Sequence, residues 1–256
     1  MSGTPAPSPK TVTACVLVIG NEILSGRTKD ANLPFLAERL NAVGVRLTEA
    51  RVIPDVPQVI IDTVNDVRAR FDYVFTTGGI GPTHDDITAE CVAAAFGLPL
   101  VRNPEAVRRL EARYPPGGLN EARLRMANTP EGATLIDNPV SAAPGFQIGN
   151  VFVMAGVPSI MQAMFEGVKH RLVGGLPMLS RTVGTDLPEG TMAKDLSAIQ
   201  DRYPEVEIGS YPFFRMGRPG TSIVSRSTDA VRLAAATDEV KAMMTALGGT
   251  PTEVES

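Results

Sequence analysis

The sequence predicts an α/β protein built on a doubly wound, mostly parallel sheet, followed by a small α+β unit. Three observations carry this. "TACVLVIG" (13–20) is a continuous apolar run ended by glycine, as expected of a strand covered on both faces. Strand-like and helix-like segments then alternate as β-α-β-α-β-loop-α, the pattern of parallel strands joined by crossover helices. Finally, the 256 residues contain a glycine-rich break at "VGGLPML" (173–179), after which the order changes to β-α-β-β-α.

The first strand leads into a helix with Leu33, Leu36, Ala37 and Leu40 on one face and Gly44 at its end. "VRLTEARVI" (45–53) is the second strand, and "VPQVIIDTVNDVRARF" (56–71) a helix with Ile60, Val64 and Val67 on one side. "DYVFTT" (72–77) is the third strand; it runs into "TTGGIGPTHDDIT" (76–88), where Thr88 is a suitable N-cap for the next helix and Glu90 lies in its first turn. Residues 102–132 hold two arginine-rich helical pieces around "YPPGGLN". The strands "ATLIDN" (133–138) and "VFVMAG" (151–156) follow as a pair separated by "PVSAAPGFQIG" (139–149). A helix after Ser159 carries Met161, Met164, Phe165, Val168 and Leu172 as its core stripe. Beyond the break, "RTVGTDL", "TMAKDLSAIQDRY", "VEIGSYPFF", "TSIVSRS" and "AVRLAAATDEVKAMMTAL" complete the small unit. The expected divisions are a disordered tail over 1–10, the α/β domain over 11–173, the α+β domain over 178–248 and a second tail over 249–256.

Composition excludes several classes. Hydrophobic residues at 43% and charged residues at 20% are globular values, and no apolar run reaches the ~20 residues of a membrane span. The first ten residues lack an apolar signal region, so a cytoplasmic location is expected. A net charge of −4 argues against a nucleic-acid surface, which needs a basic face. Cys15 and Cys91, each in an apolar segment, read as buried hydrophobes.

The loop "TTGGIGPTHDD" carries the chemistry. It lies where open parallel sheets bind ligands, beyond the carboxyl end of a strand. Gly78, Gly79 and Gly81 let backbone N–H groups approach an anion, Thr77 and Thr83 add hydroxyls, and Pro82 counts with them among the substrate-binding candidates. Asp85 and Asp86 beside such a site point to a bridging divalent cation such as Mg²⁺. The bland alternative is a Gly-Pro turn with Asp86 as a cap. The loop is neither a GxGxxG fingerprint nor a GxxxxGK[ST] phosphate loop, so no lysine neutralises the anion. Glu22 and Asp30 flank the turn after the first strand, where each alone reads as a solvated charge or a cap and only position favours a site. His84 reads as solvent-facing, with metal ligation the lesser reading; His170 is structural, and Arg102, Arg108, Arg109, Arg113, Arg123 and Arg125 form surface pairs with interleaved glutamates.

"TTGGIGPTHDDIT" resembles the signature loop of the molybdopterin-binding fold shared by MogA, MoaB, the gephyrin G domain and the N-terminal part of CinA, with "GPT" before "DD" most similar to the CinA branch. The resemblance extends to "GNEILSGRTKDANLPFLAERLNAVG", "NTPEGATLIDNPVSAAPGF" and "AGVPSIMQAMFE", four ordered motifs over roughly 170 residues. "VEIGSYP" is similar, more weakly, to the second domain of CinA-type proteins and eukaryotic FAD synthases.

This resemblance implies a three-layer α/β/α sandwich that binds a pterin or nucleotide across the strand ends. For the CinA branch it implies metal-dependent hydrolysis of a nucleotide diphosphate such as ADP-ribose, and for the FAD synthase counterpart of FAD, with Mg²⁺, Mn²⁺ or Co²⁺. For the MogA branch it implies adenylation of molybdopterin. Asp85 and Asp86 would hold the metal and orient water; Thr77, Gly78, Gly79, Gly81 and Thr83 would cradle phosphates; Glu22, Asp30 and Asn32 would line the mouth; Asn138 and Gly145 with Gly156 and Pro158 would form the other wall. A homo-oligomer, dimer or trimer, is implied as well. The sequence departs from the family at Ile160, where relatives carry Glu, at Ala155 in place of Pro and at Ser141 in place of Gly. The 256 residues hold no counterpart of an amidase or adenylyl-transferring domain, so neither deamidation nor FAD synthesis is expected. An enzyme acting on a pterin or nucleotide phosphate, with diphosphate hydrolysis ahead of adenylyl transfer, and a binding module without turnover are the two functions the sequence leaves.

Overall fold

The computed structural model describes residues 11–215 and 217–254, and the chain divides into two compact units between Gly175 and Leu176. The tail expected over 1–10 lies outside the described residues.

In the first unit the elements run β1 (Val12–Ile19), α1 (Asn21–Leu24), α2 (Asn32–Ala42), β2 (Val45–Ile53), α3 (Pro57–Arg70), β3 (Tyr73–Thr77), α4 (Thr88–Ala95), β4 (Leu100–Arg102), α5 (Pro104–Arg113), α6 (Glu121–Leu124), β5 (Asn128–Pro130), β6 (Thr134–Ile136), β7 (Gly145–Ile148), β8 (Val151–Met154) and α7 (Pro158–Val168). The main sheet has the order β2-β1-β3-β8-β7-β6, with β2, β1, β3 and β8 parallel. Alternation along β1 explains why its sequence is continuously apolar. Ala14, Val16 and Val18 face a core completed by Leu36 and Leu40 of α2 and by Met161, Met164, Phe165 and Val168 of α7. Cys15, Leu17 and Ile19 face the opposite core, closed by Ile60, Val64 and Val67 of α3 and by Cys91 and Val92 of α4. The result is the three-layer α/β/α sandwich. Phe75 and Phe152 stack across β3 and β8 at a centroid distance of 5.1 Å in the first of these cores. Burial pushes the Cys15 thiol up to about 12 and the Cys91 thiol up to about 11, so both stay protonated at neutral pH.

Several local expectations are corrected. The segment expected to separate "ATLIDN" from "VFVMAG" contains β7, which pairs antiparallel with both β6 and β8. Its Pro144-Gly145 start and four-residue length hide the alternation. Within 102–132, Asn128–Pro130 pairs with Leu100–Arg102 as a three-residue ladder too short to show a period. Thr88 does not cap α4: it is the first helical residue, Ile87 is the N-cap, and the Thr88 hydroxyl donates to the Gly78 carbonyl at 3.0 Å. Leu172 lies past the end of α7 but still packs on its core.

The second unit runs β9 (Leu179–Thr185), α8 (Glu189–Arg202), β10 (Glu207–Arg215), β11 (Arg218–Ser227), α9 (Ala230–Ala246) and β12 (Thr252–Val254). Its antiparallel sheet has the order β10-β11-β9-β12, and its core joins Val183 and Ile223 to residues of α8 and α9 such as Met192, Ile199, Leu233 and Met244. Strand β12 pairs Thr252–Val254 with β9, so the tail expected from 249 is in part structured; three residues carry no pattern of their own. The Ile208 N–H donates to Gln200 Oε1 on α8, which sets the outward-facing N–H positions of the edge strand β10 at every second residue and places Pro212 where no ladder donor is needed. Among the described residues no helix is long and apolar enough to cross a membrane.

Candidate functional site

Three neighbouring parallel strands, β1, β3 and β8, end at Ile19, Thr77 and Met154, and the segments that follow meet at Gly78. The Gly78 N–H donates to the Met154 carbonyl at 3.1 Å. Gly78 has φ +105°, and a Cβ there would stand 2.2 Å from the Ile19 carbonyl oxygen. Gly156, from the segment after β8, packs so closely that its own Cβ would lie 3.2 Å from Gly78 Cα. Gly79 is likewise left-handed at φ +67°, with Thr88 Oγ1 occupying the space of a side chain. The strand ends can approach this closely only because glycine stands at these positions.

Above this junction lies a cleft of about 480 Å³, within the usual size of a small-molecule site. Of the residues singled out from the sequence, Glu22, Gly78, Gly79, Gly81, Pro82, Asn138, Gly156 and Pro158 line it. Asp30, Asn32 and Thr77 line an adjoining recess of about 50 Å³ that shares Glu22, Gly78, Gly156 and Pro158. Thr28, Ile80, Met126, Ser141, Ala143, Ala155, Val157 and Ile160 complete the cleft, and Glu22 is the one ionisable side chain among the described lining residues.

Several polar groups are committed to holding the site. Asp30 caps α2, accepting from the Asn32 and Leu33 N–H groups at 3.3 and 2.8 Å. Asn32 Nδ2 donates to the Gly156 carbonyl at 2.7 Å and ties α2 to the segment after β8. Asn138 is saturated: its Nδ2 donates to Ser141 Oγ and the Ala143 carbonyl, while its Oδ1 accepts from the Val140 and Ser141 N–H groups. The Asn21 N–H donates to Asp55 Oδ2 at 2.8 Å, which fixes the turn bearing Glu22. Asp55 was not singled out from the sequence, though a carboxylate just past a strand end is a readable signal. Met126 enters from the arginine-rich segment, and no local pattern places it there.

Four expected site residues lie elsewhere. Gly145 starts β7 and is buried, with the Val153 carbonyl oxygen 2.3 Å from where its Cβ would be; it serves strand packing. Thr83, Asp85 and Asp86 lie outside the residues lining the cleft and the recess. Asp86 Oδ2 accepts from both the N–H and the hydroxyl of Thr83, at 2.8 and 2.6 Å. Asp85 is exposed. The pair therefore does not fit the cation expected between them. One carboxylate is spent inside its own loop, and the other faces solvent beside His84, itself 96% exposed at the side chain. Among the described residues no group of three or more His, Cys, Asp or Glu side chains is placed to hold a metal ion. The arginines at 102, 108 and 109 pair with Glu121, Glu105 and Asp137, as expected of a surface helix pair.

Ala142, in the loop organised by Asn138, has φ +66° and is the one non-glycine residue in the left-handed region among the described residues. Ala142→Gly removes that strain, worth about 1–2 kcal/mol, against a smaller entropic cost in the unfolded chain. The expected net gain is about 0.5–1 kcal/mol, read as a higher urea midpoint at unchanged m-value. A lower midpoint would show that the loop does not hold Ala142 as described.

A glycine-floored cleft at the carboxyl ends of parallel strands places the first unit among the doubly wound α/β folds. Residues 15–174 match the model described as "Probable molybdopterin binding domain", and 177–249 match "FAD synthase, middle domain". The chain belongs to the molybdopterin-binding domain family. A protein of Pyrobaculum calidifontis is 35% identical over 211 residues, covering 78% of this chain and 80% of that one. A CinA-like protein of Citrifermentans bemidjiense is 41% identical over 157 residues, 59% of this chain and 38% of that protein. The crystal structure of CinA from Thermoplasma acidophilum, described as of unknown function, superposes with a TM-score of 0.58 at 33% identity, covering 62% of this chain and 98% of that one.

Proposed function

We propose that this chain binds a phosphate-bearing pterin or nucleotide in the cleft and hydrolyses a nucleotide diphosphate of the ADP-ribose or FAD type there. The observation that carries the reading is the glycine junction: Gly78, Gly79, Gly81 and Gly156 line a cleft of about 480 Å³ and contribute no side chain of their own to fill it. Bare backbone at strand ends is where a bulky anion meets N–H donors without a clash. The apolar wall of Ile80, Met126, Val157 and Ile160 suits a flat heterocycle. Glu22 is the carboxylate in reach of a bound ligand and the group we assign to orienting a water. Asp86 acts through the loop: it holds Thr83 and so fixes the segment around Gly81 and Pro82. Incubating the purified chain with ADP-ribose or FAD, with Mg²⁺, Mn²⁺ or Co²⁺ in turn, should release AMP, and Glu22→Gln should slow release at least tenfold. No AMP with any cation sinks the hydrolase.

A second reading, a binding module without turnover, is favoured by Ile160, which lines the cleft where the family resemblance implies Glu, and by the commitment of the Asp86 carboxylate to Thr83. Ligand-dependent thermal stabilisation without AMP release identifies that case. An assay with ATP and molybdopterin covers adenylyl transfer, and light scattering reads the dimer or trimer that the family resemblance implies.

A further inference from the structure

The second unit holds a cavity that the reading above does not use. Its sheet is covered by α8 and α9 on the face that carries Val183 and Ile223. The neighbouring residues in each strand, Gly184 in β9 and Ser222 in β11, point to the opposite, helix-free face and are register partners. On that face lies a cavity of about 440 Å³ lined by Gly184, Phe213, Pro219, Ser222, Thr252 and Val254, among others.

Two glycines on this face differ in what holds them. Gly220 is required by packing: a Cβ there would stand 2.5 Å from the Phe213 ring and 2.7 Å from the Thr185 carbonyl oxygen, so the ring lies directly against glycine backbone. Gly184 is not. It sits inside β9 with partners on both sides, Ser222 and Thr252, and its φ is not left-handed. A Cβ on it would meet Val254 Cγ2 at 3.6 Å and the Thr252 carbonyl at 3.8 Å, ordinary van der Waals contact. Glycine inside a strand weakens it relative to a residue with a side chain. Here neither backbone conformation nor neighbouring atoms ask for it. What the missing side chain does is keep the floor of the cavity flat and open beside a fixed aromatic wall.

We propose that this face carries a binding site for a flat, uncharged heteroaromatic ring. The ring would lie over Gly184 against Phe213, with Ser222 and Thr252 hydroxyls available to its polar edge. Asp186 is the one charged residue among the described residues lining the cavity, and its Oδ1 accepts from the Thr250 N–H and the Thr185 hydroxyl; no lysine, arginine or histidine stands with it, so nothing described there attracts a phosphate. All the described residues lining the cavity belong to the second unit.

The test titrates the full chain with riboflavin and with adenosine, two neutral flat-ring probes without phosphate, and follows binding by flavin fluorescence and calorimetry. Gly184→Val fills the floor with a strand-favouring residue. It is expected to melt at or above the wild-type temperature while losing at least tenfold in affinity for the probe that binds. Phe213→Ala, which removes the wall and adds no bulk, is expected to lose a similar factor and covers the case in which Gly184→Val fails to fold. AMP release from ADP-ribose is expected to stay unchanged in both variants. Binding of neither probe to the wild-type chain overturns the proposal, as does binding undiminished in the variant that folds.

Discussion

Gly78→Ala is expected to destabilise the first unit by about 3 kcal/mol or more and to abolish ligand binding in the cleft. Two costs combine. A non-glycine residue at φ +105° is strained by about 1–3 kcal/mol. The new methyl also meets the Ile19 carbonyl oxygen at 2.2 Å, an overlap with backbone that no rotamer change relieves and that costs about 1–3 kcal/mol even after adjustment. Relief would require β1 and β3 to part where Gly156 also packs, which opens the junction under the cleft. For a unit of this size each kcal/mol lowers the melting temperature by about 2–4 °C, so a fall of roughly 6–12 °C is expected. Gly26→Ala is the control. Gly26 is also left-handed, at φ +71°, but nothing lies within 4 Å of its Cβ position, so its cost is conformational alone, about 1 kcal/mol. Equal melting temperatures for the two variants would show that the strand ends do not meet at Gly78 as described.

How much of this was legible in the sequence follows from where each residue's constraint comes from. The apolar run of β1 and the 3.6-residue spacing of α2, α3 and α7 are local consequences of burial, and both are readable. The glycines of "TTGGIGP" are readable as close-approach positions, and Gly78 and Gly79 do take the left-handed backbone that favours glycine. What they approach is not readable: the Ile19 carbonyl, Gly156 and Met154 are distant in the chain. The same limit hides β7. Its strand character comes from pairing with β6 and β8, whereas its own Pro-Gly start argues against it. It also explains Asp85 and Asp86. Two adjacent carboxylates beside glycines read as cation ligands, yet a carboxylate's partner is set by geometry, and here Thr83, three residues before Asp86, is nearer than any ligand donor. Asn138 and Asp30 follow the same rule. They border the site, but their polar atoms build its walls.

Asp86→Ala is expected to weaken ligand binding at least tenfold with little change in global stability, because the carboxylate makes two hydrogen bonds that shape one exposed loop. Losing charge-assisted bonds of this kind costs about 1.5–3 kcal/mol, a penalty that falls on the loop's ordered state. A bound ligand must then order it again, so the affinity bears the cost. Asp86→Asn separates this role from chemistry. An asparagine Oδ1 can still accept from the Thr83 N–H and hydroxyl at 2.8 and 2.6 Å, so a loop-holding Asp86 predicts near wild-type binding and AMP release in Asp86→Asn. A carboxylate that touches the reacting phosphate or a cation predicts that Asp86→Asn fails as completely as Asp86→Ala, with the loss in kcat rather than KM. Asp85→Ala completes the comparison, since Asp85 is exposed and lies outside both the cleft and the recess. Affinity within twofold of wild type is expected there, and a loss matching that of Asp86→Ala would restore the pair as a unit acting on the ligand.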